Sequence, residues 1–185
     1  PENLVKAAAI TQLSYLRDAR YKSLFENAVK IPSRSIKVAA ASGLVALDPS
    51  LASQYIDKID LKSLNFEQFM TFYPYILKSK DEKYLPILLD KVIYYPLYPE
   101  SYQAPIKEGF DWLMSVDNTE LTKKVTQVYG NKFGWFTEDQ KELLKKAAEE
   151  ALIIKEDLLK KNPNAASVKE QIELLKQINW QADKE

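Results

Sequence analysis

Histidine and cysteine are both missing from the 185 residues, and glycine occurs only four times. Each absence removes a class of chemistry. Without cysteine there is no disulfide framework and no thiolate nucleophile, although the compartment stays open because secreted and cytosolic proteins can both lack it. Without histidine a serine nucleophile loses its usual base, and a zinc site would need carboxylates alone, which suit magnesium or calcium better. Scarce glycine leaves no phosphate-cradling loop; the one close pair, Gly130 and Gly134, stands at the end of a helical pattern, where a capping role is expected. Long apolar runs are missing as well. None approaches the roughly 20 residues that span a bilayer, and no basic segment precedes an apolar one at the amino end, so neither a membrane span nor a signal peptide is expected. Charge of one sign is not in excess either: Lys plus Arg and Asp plus Glu both number 26, which gives no global field to gather a nucleic acid. The chain opens Pro1-Glu2-Asn3 without an initiator methionine. A piece of a longer protein, or a processed mature chain, is the expectation.

What is present is helical patterning almost throughout. Apolar residues recur at Ala9, Leu13 and Leu16, then at Tyr21, Leu24, Phe25 and Ala28, then at Ile36, Ala39, Ala40, Gly43, Leu44 and Leu47. The breaks carry helix-boundary chemistry. Pro32-Ser33 separates two elements, and Asp48-Pro49 sets a capping acid before a proline suited to the first helical position. Further on, Leu51, Tyr55 and Ile59 predict a short helix, Asn65 a cap for Phe66 to Tyr73, and Asp81 a cap for the helix of Leu85, Leu88, Leu89 and Val92. Pro74 and Pro86 are expected to kink or shorten their elements. Tyr94 to Pro105, with three prolines and four tyrosines, reads as a long irregular connection. Helices around Phe110 and Leu121 to Val128 follow, the second capped by Asp117 or Asn118 and closed near Gly130.

From Thr137 the composition turns to lysine and glutamate. Thr137 and Gln140 predict a capping box, and Leu143, Leu144, Ala147, Ala151, Ile154 and Leu158 form a narrow stripe. Asn162-Pro163-Asn164 then turns the chain into a second stripe, Val168, Ile172, Leu175 and Ile178, which makes a helical hairpin. Carboxylate pairs such as Asp57 with Asp60, Asp81 with Glu82 and Glu149 with Glu150 read as solvated faces rather than acid/base sites. The expected fold is all-α: antiparallel helix pairs stacked as a HEAT-like α-solenoid over residues 1–134, with a Lys/Glu-rich hairpin over 137–185 packed on the same domain.

Two segments carry a resemblance. SYLRDARYKSLFENAV (14–29), followed by SRSIKVAAASGLVALDP (33–49), is similar to the C-terminal HEAT-like domain of aminopeptidase N-type zinc metallopeptidases, the gluzincins. The similarity is best over residues 1–95 and fades through 96–134. It implies a non-catalytic domain that braces the catalytic domain of its parent chain and shapes access of peptide substrate, in a bacterial periplasmic, secreted or cytoplasmic enzyme. The parent's zinc would be bound elsewhere, through a His-Glu-x-x-His motif that has no counterpart here, so no cofactor, metal or catalytic residue is assigned to this chain. The alternative is a stand-alone HEAT-like interaction scaffold unrelated to proteolysis. In the opening segment Tyr15, Tyr21, Leu24 and Phe25 are expected to point inward. The only three arginines, Arg17, Arg20 and Arg34, are candidate contacts for the rest of the enzyme or for a peptide carboxylate.

Overall fold

A computed structural model describes residues 2–180, and among them every regular element is helical. The chain forms two compact units, Pro1–Glu82 and Lys83–Glu185.

The first unit is built around one enclosed helix. Helices α1 (Glu2–Tyr15), α2 (Lys22–Ala28), α3 (Arg34–Leu47), α4 (Ala52–Tyr55) and α5 (Phe66–Ser79) follow in order, and α1, α2 and α5 all pack on α3. Alanine explains this position. Ala39, Ala40, Ala41 and Gly43 keep the α3 surface thin on several sides, so three neighbours can close on it, and every residue from Val38 to Val45 is buried. Gly43 is where α2 meets α3: a Cβ there would lie 2.9 Å from three carbons of the Phe25 ring, itself wholly buried. Asp48 accepts from the amide of Ser50 at 3.0 Å with Pro49 at the first helical position, while Asn65 and Gln68 form a reciprocal capping box at the start of α5.

Several expectations for this unit are corrected. The four residues Tyr15, Tyr21, Leu24 and Phe25 do not all point inward, because α1 stops at Tyr15, Arg17 takes the left-handed conformation (φ 49°), and a 3₁₀ turn at Ala19–Tyr21 leads into α2. The chain turns there, so Tyr15 and Leu24 face outward, each 41% exposed, while Phe25 alone is fully inside. On α1 the buried face is Ala7, Ile10 and Ser14, and Ala9 and Leu16 are exposed. Pro74 sits inside α5 without interrupting it.

The second unit comprises α6 (Leu85–Val92), α7 (Glu100–Ser115), α8 (Thr119–Lys132), α9 (Glu138–Lys161) and α10 (Ala166–Lys176). Helix α7 packs on α6 and α9, and α10 lies against both α8 and α9, so the hairpin is docked on the helices before it. Phe110, Leu113, Met114, Val125, Tyr129, Leu144, Ala147 and Ala151 form the interior. The Thr137–Gln140 capping box starts α9 as the sequence predicts. Three details differ. Residues 94–105 are not an irregular loop: a 3₁₀ turn covers Tyr95–Leu97 and α7 begins at Glu100, with Pro105 forgoing one backbone bond of its second turn. Gly130 is an interior residue of α8 without positive φ, so it caps nothing. Tyr84, not Asp81, occupies the cap position of α6, after a 3₁₀ turn at Glu82–Tyr84.

Candidate functional site

Each arginine of the sequence reading has its own local setting. Arg20 folds back on Asp18, its Nε and Nη2 donating to Oδ2 at 2.8 and 2.6 Å, and the side-chain hydrogen bonds of Arg20 hold the Asp18 carboxyl below its ordinary range. Arg34 forms an ion pair with Asp60, whose Oδ1 accepts from the amide of Lys62. Arg17 is exposed at the left-handed turn. The carboxylates Asp18 and Asp60 thus engage two of the three guanidiniums that were candidates to grip a ligand.

Two concave surfaces of the first unit border α2. In one, Ala9, Ile10 and Leu13 of α1, Leu24 and Ala28 of α2, and Ile31 and Ile36 line an apolar groove of about 750 Å³. Its openness follows from the short α2: seven residues cover only part of α3, which leaves Leu24 and Ile31 41% and 39% exposed. The other is a cleft of about 620 Å³ with a different lining. Glu26 comes from α2, Val29 and Lys30 from the turn that follows it, Lys37 from α3, and Gln54, Tyr55, Lys58 and Ile59 from α4 and the turn after it. The Lys58 ammonium stands 5.7 Å from the centre of the Tyr55 ring, within cation–π range. A third, smaller cleft of about 360 Å³ runs beside Arg34, Thr11 and Gln68.

The second unit holds two polar clusters that sequence reading missed. In the first, the Tyr95 hydroxyl donates to Glu150 Oε2, and Lys107 Nζ reaches Asp111 at 2.8 Å and Glu150 at 3.2 Å. Burial first, and then the Glu150 carboxylate, push the Tyr95 phenol far above its usual range. Burial pulls Lys107 down, but its bonds to Asp111 and Glu150 outweigh that and leave it raised. Glu150 is therefore no solvated partner of Glu149, since a phenol and an ammonium claim it. In the second cluster Lys155, with no exposed surface, donates to the Val116 carbonyl at 2.7 Å just past the end of α7. Asp117 accepts from Ser167 at 2.7 Å and from Gln171 at 2.5 Å, and Gln171 accepts from Thr122 at 3.1 Å. Asn118 is the residue that caps α8, through the amide of Leu121. Burial lowers the Lys155 pKa to about 8, with Asp117 opposing. Both clusters join elements to one another, and each polar atom named in them has a partner.

Among the described residues no three His, Cys, Asp or Glu side chains gather where they could hold a metal ion, and no helix is long and apolar enough to cross a membrane. No family model, curated protein or solved structure matches the chain.

Proposed function

We propose that this chain is the non-catalytic, HEAT-like C-terminal domain of an aminopeptidase N-type zinc metallopeptidase, bracing the catalytic domain and shaping substrate access. The observation that carries the reading is the role of the resembling segments in the first unit. Phe25 from the first segment seats on Gly43 from the second, and α3 is the helix around which the unit is assembled. A domain organised about a buried helix, with exposed apolar surface beside it, is suited to work by contact. Zinc in the parent enzyme would polarise the scissile carbonyl and activate a water, and the ligands for that ion would come from the catalytic domain. The chain itself supplies no histidine to that site.

Two measurements test this. The gene that encodes the chain is expected to contain a His-Glu-x-x-His codon run upstream of Pro1. The purified protein supplied with zinc is expected to release no amino acid from aminoacyl-nitroanilide substrates above the buffer rate. A reading frame without the motif would leave the stand-alone scaffold, a reading that the open apolar groove also favours. Turnover that follows the protein through purification would defeat the non-catalytic role.

A further inference from the structure

We propose that the lysine-lined cleft of the first unit binds an acidic peptide segment. The cleft presents three ammonium groups, Lys30 from the turn after α2, Lys37 from α3 and Lys58 from the 3₁₀ turn after α4. None of the three has a carboxylate partner among the described residues. Other lysines are engaged on their own surfaces, as Lys6 is with Glu2, Lys107 with Asp111 and Glu150, Lys141 with Glu138 and Lys160 with Asp157; what marks these three is that they share one concavity. A chain of zero net charge has thus left three cations together on one concave surface. The single lining carboxylate, Glu26, lies 4.0 Å from Lys22, so the lining itself carries a net positive charge. A concave wall concentrates such a field and attracts an anion.

The rest of the lining identifies the kind of anion. Charges on three elements suit several carboxylates strung along a chain better than one compact ion. Lysine is a point charge on a flexible stem, without the rigid fork that holds phosphate bidentately; no arginine is among the lining residues, and Arg34 is engaged by Asp60 beside a different cleft. Val29, Ile59 and Tyr55 share the lining with the lysines, and their apolar surface suits the methylene stems of glutamates and an apolar neighbour. The Gln54 amide can both donate to and accept from a peptide backbone. This inference does not depend on the aminopeptidase reading.

The test uses the full chain and a fluorescent hexapeptide, Glu-Leu-Glu-Glu-Phe-Glu, followed by anisotropy. Binding is expected at low salt, weakening about tenfold at physiological ionic strength as screening sets in. The same peptide with glutamine for glutamate should bind at least about tenfold more weakly, and the triple variant K30Q/K37Q/K58Q should lose about tenfold or more with an unchanged helical circular dichroism spectrum. The variant K30R/K37R/K58R, which keeps the charge, should retain binding and so separate lost charge from lost packing. No binding, equal binding of the glutamine peptide, full affinity in the triple glutamine variant, or complete displacement by millimolar inorganic phosphate would each overturn the proposal.

Discussion

At the scale of single residues, two positions concentrate the physics of this protein. Gly43 is the first, because its missing side chain is the space that Phe25 fills. Gly43→Ala gains about 1 kcal/mol of helix propensity but displaces a buried ring, which costs about 1–3 kcal/mol, so a net loss of stability is expected in urea melts. Adding Phe25→Leu should then cost less than the two single losses combined, since the variants share one contact; simple additivity would count against that contact. Lys155 is the second. Its folded pKa of about 8 lies below the value near ~10.4 of an unfolded lysine, so the folded protein holds fewer protons between those limits. Stability relative to Lys155→Met should be lowest and flat below about pH 8, then rise toward pH ~10.4 by at most about 3 kcal/mol. Urea melts of both proteins at pH 7 to 10 measure this, and a pH-independent difference would show that the ammonium is not buried as drawn.

At the scale of elements, the hairpin is fixed by a polar seam as well as an apolar one. Gln171 of α10 joins Asp117 before α8 to Thr122 within it, with both amide atoms used and no surface exposed. Gln171→Ala would leave the buried Thr122 hydroxyl without that bond and the Asp117 carboxylate one donor short, so a loss of about 2–3 kcal/mol is expected in equilibrium unfolding of the full chain. A loss under about 0.5 kcal/mol would mean that the seam is solvated instead. This element also shows what sequence makes legible. The stripe Val168, Ile172, Leu175 and Ile178, the turn at Asn162-Pro163-Asn164 and the Thr137 capping box were readable because each depends on residues a few positions apart. Gln171 and Lys155 were not, because their partners lie 39 to 54 positions away and nothing in the local pattern separates them from a solvated face. The outward facing of Tyr15 and Leu24 escaped for a different reason: no glycine or proline marks the left-handed turn at Arg17 that sets the direction of the chain between α1 and α2. Residues 94–105 erred the other way, since prolines suggested a loop where α7 tolerates one of them near its start.

At the scale of the whole molecule, the helical class was legible and the functional surfaces were only partly so. The class follows from periodicity that recurs in nearly every segment. The arginines drew attention because arginine is rare in this chain, yet the folded structure engages two of them locally and leaves lysines on the wall of a cleft. Lysines as far apart in sequence as Lys30, Lys37 and Lys58 give no sign that α2, α3, α4 and the turns after them will bring them to one concavity. The enclosure of α3 has a kinetic consequence too. Its central amides, from Val38 to Val45, are shielded by neighbours on several sides, so deuterium should reach them only when the first unit opens as a whole. Mass-resolved isotope exchange would then give that segment the slowest labelling in the unit, with a protection factor that tracks its global unfolding equilibrium; early labelling there would mean that the helix can escape its surroundings without dismantling them.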